Sequence, residues 1–311
     1  FFFFFLFVFL ILKFLPKYQS SIIIFSSLFF YSYWNPIFTI LIIYFFGLTY
    51  LFVKKNISLK VSISVILLPL IYFKYSLFFI ELSQLDYLDR YTYKGNLPLA
   101  ISFVTFTAIA LIIDVKKKIY EENLDFKDIV EFILYFPQLI AGPILRAHQL
   151  IPELKKKIIF NYDNLKIGLL LFLLGFIKKI FFADTIGSIV DPIFLEPTNF
   201  ESKDLFKAYI LFPFQIYFDF SGYVDMALGA SYIFGIKLPK NFNKPYLTCS
   251  ITDFWRNWHI TLSNWFRDYI YIPLGGSKTG QKKLYFNLIL TMSLAGLWHG
   301  ASLNFILWGF L

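Results

Sequence analysis

Cysteine and charged side chains are both scarce in this sequence. The single cysteine, Cys249, excludes an intrachain disulfide bond and any CxxC metal site. Only 16% of the residues are charged, whereas about 25% is usual for a soluble domain. The chain also lacks a Walker loop, a GxGxxG motif, an HExxH motif and a cluster of cysteine and histidine. These absences exclude nucleotide hydrolysis, dinucleotide redox chemistry and a standard zinc site as interpretations.

Long apolar runs take the place of the missing charge. The chain of 311 residues is 58% hydrophobic, with a mean hydropathy of +0.64. A membrane-spanning helix needs ~20 mostly apolar residues, and several runs qualify. We therefore expect an all-α, polytopic membrane protein in a single domain over residues 1–311. The predicted apolar segments are Phe1–Leu15, Ser21–Tyr33, Ile37–Val53, Val61–Ile80, Leu97–Ile113, Ile129–Leu145, Leu165–Phe182, Phe206–Phe234 and Phe286–Leu311.

The net charge of +9 is distributed in short lysine clusters between apolar runs. This pattern indicates cytoplasmic loops, so we do not interpret the positive charge as a nucleic-acid site. The acidic loop that follows Phe182 is predicted to lie outside the cell. Lys178 and Lys179 fit this orientation poorly, because they fall at the outward end of their segment. Either their side chains reach the interface or the orientation is wrong there.

The run FPQLIAGPILR predicts a break in the helical pattern. Pro137 and Pro143 bracket Gly142, and a straight helix does not tolerate this spacing. Lysine clusters on both flanks indicate that the segment enters and leaves the membrane on the same side. Irregular backbone at membrane depth has to be buried in protein or line a cavity, so we predict a re-entrant segment here.

The closing segment LTMSLAGLWHGASLNFILWGFL holds one imidazole among residues without formal charge. On one continuous helix, Gly296, His299, Gly300 and Leu303 would share a face. An ionisable residue at this depth is a functional candidate, although a neutral histidine bonded between helices is the alternative. Burial disfavours imidazolium, so we expect a neutral ring that can accept a proton.

A second histidine lies in DFWRNWHITLSNWFRDYIYIPLGG. Trp255, His259, Leu262 and Phe266 follow helical spacing, which predicts an amphipathic helix in the membrane interface. His259 falls on its inward stripe. A capped, hydrogen-bonded interfacial histidine is the alternative to a catalytic one.

Two acids interrupt the apolar run FQIYFDFSGYVDMALGASYIFG. Asp219 and Asp225 would each cost ~2.5–3.5 kcal/mol at the centre of a membrane helix, so they must face a partner, a helix break or a polar interior. They could form an acid–base pair or be structural acids with partners. The FSGY stretch is not a nucleophile elbow, and we expect Ser221 to act as a turn or backbone-bonding residue.

Five motifs together resemble the membrane-bound O-acyltransferase family. In chain order they are FPQLIAGPILR, YFDFSGYVDMALG, NFNKPY, SITDFWRNWHITLSNWFRDYIYIPLGG and LAGLWHGASLNFILWG. The resemblance is closest to the bacterial branch of alginate and peptidoglycan O-acetyltransferase membrane subunits. It implies a helix bundle with re-entrant and interfacial helices, in a bacterial inner membrane, with further C-terminal helices that this chain lacks.

The resemblance also implies a site and substrates. The catalytic histidine of the family falls on His299, and its second histidine falls on His259. Other motif residues are expected to bind substrate or support the site, namely Asp253, Arg256, Trp298, Asp219 and Ser221. The donor would be acetyl-coenzyme A or another cytoplasmic thioester, with no bound cofactor and no metal. The partners would be an extracytoplasmic SGNH-like acetyltransferase, the polysaccharide acceptor and membrane lipid.

The sequence is also compatible with three other functions. A transporter of acetyl donors or activated sugars would also have broken helices and buried acids. A related enzyme could transfer D-alanine to teichoic acid, as in a more distant branch with the same DFxGY and WHxS pattern. A purely structural scaffold would leave the two membrane histidines unexplained.

Overall fold

The computed structural model describes residues 2–278 and 280–311, and every regular element within them is a helix. This confirms the predicted all-α class. The first nine α-helices are α1 (Phe2–Phe14), α2 (Gln19–Trp34), α3 (Thr39–Lys54), α4 (Leu59–Leu70), α5 (Ser76–Ser83), α6 (Ile101–Lys116), α7 (Phe126–Leu134), α8 (Phe136–Leu139) and α9 (Ala147–Lys155). The others are α10 (Tyr162–Ile177), α11 (Asp184–Leu195), α12 (Ser202–Ile233), α13 (Ile251–Asn257), α14 (Ile260–Phe266), α15 (Gln281–His299) and α16 (Leu303–Phe310).

Two helical stretches of the described chain are long and apolar enough to cross a membrane. They are Pro36–Lys54 and Leu59–Ser83. The pair Phe3–Phe14 and Pro16–Trp34 would make a third span, but it is bent by 109°. The bend lies where Pro16 begins a new helical turn, as expected for a residue that cannot donate a backbone hydrogen bond.

Helix α6 forms the centre of the hydrophobic core. Residues on all of its sides are buried, which is typical of a helix that is apolar all round. Its contacts reach α3, α4, α7 and α9. The Trp265 ring stacks on the Phe106 ring at a centroid distance of 3.9 Å, and the Trp265 indole N–H donates to the Phe106 carbonyl over 3.0 Å. Helix α6 therefore links the N-terminal helices to the segment that carries the second histidine.

The predicted helix break is present between α7 and α9. Helix α7 ends at Leu134, and Pro137 lies in the first turn of the short helix α8. The irregular backbone is buried in protein. The Phe136 N–H donates to Ser27 Oγ over 3.2 Å, and the Ile144 N–H donates to Thr261 Oγ1 over 2.9 Å. These bonds replace the helical ones that the break removes.

Helices α10, α11 and α12 form an antiparallel hairpin. A π-helical turn at Lys178–Ala183 joins α10 to α11. Glycines allow the two arms to touch, because a Cβ at Gly168 would lie 2.7 Å from the Gly229 carbonyl oxygen and one at Gly229 would lie 2.5 Å from that of Gly168. Lys178 and Lys179, which fit the predicted orientation poorly, both lie in this π turn. The hairpin brings them beside Asp219 and Asp225 of α12.

Ion pairs account for those charges. Lys178 Nζ lies 2.5 Å from Asp225 Oδ2, and Lys179 Nζ lies 2.6 Å from Asp219 Oδ1 and 2.7 Å from Asp184 Oδ1. The expectation that the acids have partners is confirmed. Asp219 and Asp225 are paired with lysines rather than with each other, so they do not form an acid–base pair. These ion pairs stabilise the lysines, so their side chains do not have to extend to the membrane interface.

The closing apolar run is two helices and not one. Helix α15 ends at His299, Gly300 has extended backbone, and the Ser302 hydroxyl caps α16 by accepting from the Phe305 N–H. The predicted common face of Gly296, His299, Gly300 and Leu303 is therefore wrong. A serine cap competes with continuation of the helix, and a Cβ at Gly300 would meet the Phe305 ring of α16.

The predicted amphipathic helix around His259 is also broken. Helix α13 ends at Asn257, His259 has a positive φ of 40°, and α14 begins at Ile260. The loop before α13 stabilises this turn. The Ile260 N–H donates to the Asn241 carbonyl over 2.9 Å, and the Asn243 N–H donates to the Asn257 carbonyl over 3.0 Å. The prediction failed because these bonds come from residues distant in sequence.

Candidate functional site

His299 is presented at the C-terminal end of α15. Its side chain is exposed, and aromatic rings surround it. The centroid distances are 4.9 Å to Trp298, 5.1 Å to Trp308 and 6.4 Å to Phe305. The imidazole makes no hydrogen bond within the part of the chain that the structure describes. Its nitrogens are thus open to a substrate from the exposed side.

His259 has the opposite environment, since it is only 2% exposed. Its Nδ1 lies 3.1 Å from Asn241 Oδ1. The same Asn241 oxygen lies 3.1 Å from the backbone nitrogen of Thr261 and 2.9 Å from its hydroxyl. A backbone N–H can only donate, so the Asn241 atom that faces it is the carbonyl oxygen. An oxygen acceptor then requires the proton on Nδ1 of His259.

This tautomer leaves Nε2 of His259 as an unprotonated acceptor. The Nε2 atom is buried and has no hydrogen-bond partner among the described residues. Burial lowers the pKa of the His259 imidazole from 6.5 to about 3, and the nearby His299 acts in the same direction. His259 is therefore neutral at physiological pH and can accept, but not donate, at Nε2.

Trp298 lies between the two histidines. Its ring centroid is 5.9 Å from that of His259 and 4.9 Å from that of His299. Its Nε1 atom is buried without a partner in the described chain. On the other side of His259, the Phe220 ring packs edge-on at 4.7 Å. The structure thus brings His299, Trp298 and His259 into one cluster, as the motifs predict.

A hydrogen-bond network joins three distant motifs behind this cluster. Asn241 comes from NFNKPY, His259 and Thr261 from the tryptophan-rich motif, and Ile144 from the helix break. Sequence reasoning did not single out Asn241. One sequence alone cannot distinguish Asn241 from Asn243, two residues later. The side-chain amide of Asn243 donates a hydrogen bond to Asn257 at the surface.

Lys74 is a second residue that sequence reasoning missed. It lies inside the apolar stretch Leu59–Ser83, and its ammonium donates to the Trp298 carbonyl. A lysine within an apolar span is itself a signal of function or pairing, and the sequence carried that signal.

The remaining predicted residues lie elsewhere. Asp253 and Arg256 pair with each other over 3.3 Å at the surface, with exposed side chains, and no described contact joins them to either histidine. Ser221 is buried in the middle of α12, and its hydroxyl has no partner among the described residues. The predicted turn or backbone-bonding role of Ser221 is therefore wrong. Asp219 serves its ion pair with Lys179.

Asp219 also lines a polar cavity between α11 and α12. The cavity has a volume of about 490 Å³. Its wall contains charged and polar side chains, namely Lys179, Asp184, Ser188, Asp191, Gln215 and Asp219. Phe220 belongs to the same wall and also packs edge-on against the His259 ring. One side chain therefore contacts both the cavity and the second histidine.

Residues 2–278 and 280–311 contain no group of three or more His, Cys, Asp or Glu side chains that could hold a metal ion. The side chains of His299, His259 and Trp298 can take part in proton transfer and hydrogen bonding.

The sequence matches one family model and several relatives that are all named for acyl transfer. A family model described as MBOAT, membrane-bound O-acyltransferase family, matches residues 89–311. A peptidoglycan O-acetyltransferase of Helicobacter pylori is 37% identical and covers 95% of this chain and 63% of its own length. A probable alginate O-acetylase of Azotobacter vinelandii is 45% identical over 68% of this chain and 42% of its own. A teichoic acid D-alanyltransferase of Bacillus subtilis is 34% identical over 68% of this chain and 56% of its own. The chain thus spans less than two thirds of the length of these relatives.

Proposed function

The chain belongs to the membrane-bound O-acyltransferase family, and on that premise we propose that it transfers an acetyl group from a thioester to hydroxyls of an extracytoplasmic polysaccharide. One observation carries the proposal. An exposed imidazole, His299, stands at a helix end beside a buried histidine that is held neutral. This arrangement suits proton transfer during attack by an alcohol.

The chemistry assigns His299 as general base. The acceptor hydroxyl oxygen attacks the thioester carbonyl carbon, and His299 takes the hydroxyl proton. A C–O bond forms, the C–S bond breaks, and the proton passes to the departing thiolate. A positioned general base contributes ~10²–10⁴ in rate, and the exposed side of the ring is where both substrates can meet it.

The developing oxyanion needs a hydrogen-bond donor. His259 does not supply one, because its proton lies on Nδ1 and faces Asn241. The buried Nε1–H of Trp298 has no other partner in the described chain and lies between the histidines. Trp298 is therefore our candidate for the donor, and His259 for an acceptor that orients a hydroxyl group.

The relatives favour acetyl as the cargo. Those named for O-acetylation are 37% and 45% identical to this chain, whereas the D-alanyltransferase is 34% identical. We propose acetyl-coenzyme A as the cytoplasmic donor, a bacterial inner-membrane location with several crossings, and an SGNH-like acetyltransferase as the extracytoplasmic partner. The polysaccharide would be alginate, peptidoglycan or a similar polymer.

Replacement of His299 tests the proposal directly. In isolated membranes that carry the full-length chain, His299→Gln should keep protein insertion and lower acetyl transfer from labelled acetyl-coenzyme A by ~10²-fold or more. His148→Gln is the matched control, because His148 is exposed on α9. Transfer by His299→Gln at the rate of the control would refute the general base. Passage of label without release of coenzyme A would instead indicate a transporter, for which the polar cavity provides a structural reason.

A further inference from the structure

A lysine stands inside one of the two helical stretches of the described chain that are long and apolar enough to cross a membrane. Lys74 belongs to Leu59–Ser83, where it lies in the π-helical turn Ile71–Tyr75 between α4 and α5. A charged side chain at the centre of a membrane helix costs ~2.5–3.5 kcal/mol, and π turns often occur at functional sites. Both features require a reason for this lysine.

The reason lies at the end of α15. The last carbonyls of a helix have no partner within the helix. The Tyr75 hydroxyl donates to the Leu297 carbonyl over 3.0 Å, and the Lys74 ammonium donates to the Trp298 carbonyl. Two consecutive side chains of the π turn thus satisfy two consecutive carbonyls, immediately before His299.

Lys74 also contacts the ring next to the histidine. Its Nζ lies 5.6 Å from the centroid of the Trp298 ring, which is 4.9 Å from that of His299. The cation is well placed, because the C-terminal end of a helix carries negative partial charge. Lys74 therefore fixes both the backbone and the neighbouring ring that position His299.

Partial burial among the surrounding rings is the main influence that disfavours protonation of His299, and the charge of Lys74 adds to it. A nearby cation disfavours a second positive charge, so it opposes protonation of the imidazole. His259, on the turn between α13 and α14, also interacts with His299, and it is neutral. From α16, the rings of Phe305 and Trp308 contact His299 and bring no charge.

We propose, on the basis of the function above, that Lys74 and Tyr75 are positioning residues for His299. The two side chains hold the end of α15 in place, and the ammonium of Lys74 keeps the imidazole free to accept a proton. No motif of the sequence assigns a role to either residue.

Chemical labelling of His299 tests the charge effect without any need for activity. Diethyl pyrocarbonate modifies neutral imidazole, and peptide mass spectrometry measures modification of His299 against pH in membranes. Lys74→Gln can keep a hydrogen bond to the Trp298 carbonyl but loses the charge. Half-maximal labelling should move to higher pH by roughly half a unit or more, and Lys74→Arg should restore it. An unchanged midpoint in Lys74→Gln would overturn the electrostatic part.

Acetyl-transfer kinetics test the positioning part. Tyr75→Phe should lower kcat about tenfold or more and leave KM for the thioester nearly unchanged, because misplacement of a catalytic group reduces rate steeply. Tyr72→Phe in the same π turn is the matched control, because the Tyr72 side chain is exposed. Rates for Tyr75→Phe equal to the Tyr72 control would overturn this part.

The two measurements separate this inference from the proposed function. If labelling of His299 shifts as expected but the wild-type chain transfers no acetyl group, the proposed function fails and the role of Lys74 stands. If the wild-type chain transfers acetyl and labelling does not shift in Lys74→Gln, the inference fails and the proposed function stands.

Discussion

Replacement of Asn241 with leucine should lower activity by removing the hydrogen bonds that support His259, although Asn241 contacts no reacting atom. The Asn241 oxygen accepts from His259 Nδ1, the Thr261 backbone N–H and the Thr261 hydroxyl. The hydroxyl can rotate, but the other two donors would stay buried and unpaired, at about 1–3 kcal/mol each. Against this, removal of the unpaired Asn241 Nδ2 recovers about 1–3 kcal/mol. The net loss of stability is therefore about 2 kcal/mol.

The catalytic effect should exceed the effect on stability. Without the Asn241 oxygen, nothing fixes the His259 proton on Nδ1, so Nε2 is no longer held as an acceptor. We expect acetyl transfer to fall by at least about tenfold. Asn241→Asp keeps an acceptor but adds a negative charge, which favours imidazolium. This variant should therefore be active at high pH and, on acidification, lose activity at a higher pH than the wild type does.

Thermal unfolding in detergent and acetyl transfer in membranes provide the two readouts. Asn243→Leu is the matched control. Asn243 belongs to the same motif, and the hydrogen bond from its side-chain amide to Asn257 is exposed. Wild-type transfer and an unchanged melting temperature in Asn241→Leu, equal to the Asn243 control, would refute both the tautomer and the role of the network.

Three further outcomes follow from the packing and the charges. Lys178→Asp should destabilise the α10–α12 hairpin by about 3–5 kcal/mol, and addition of Asp225→Lys should recover much of the loss in thermal melts; no recovery would contradict the ion pair. Gly309→Val should separate α16 from α15, because a Cβ there meets the Met292 carbonyl, whereas Gly47→Val in open space should melt like wild type. Because burial lowers the pKa of His259, the unfolded state binds more protons below about pH 6.5, and stability should fall by up to about 1.4 kcal/mol per pH unit on acidification; an equal acid dependence in His259→Gln would contradict this.

Local chemistry made several features predictable. Apolar composition indicated a helical membrane protein, and Pro137 and Pro143 predicted the break because proline removes backbone donors. Asp219 and Asp225 required partners, since an unpaired charge in an apolar run is costly. The motifs identified His299 and His259 through resemblance to a family, and the structure brings both beside Trp298.

Other features depended on residues far apart in the chain. The two predicted continuous helices, around His259 and through Gly300, are broken. Helical spacing describes only neighbours three and four positions apart, whereas Asn241 and Ser302 end those patterns through loop and capping bonds. The glycines of the closing segment also proved to serve helix packing: a Cβ on Gly296 would meet the Phe305 carbonyl of α16.

The sequence by itself determined the membrane class, the family and the identity of the two histidines, because composition and motifs are local properties of the chain. Only the tertiary structure decided what state those histidines hold. The tautomer of His259 follows from its hydrogen bond with Asn241, 18 residues away. The position of His299 depends on Lys74, whose hydrogen bond to the Trp298 carbonyl spans 224 positions. Hydrogen bonds and charges act through distance in space, and a linear pattern does not contain that distance.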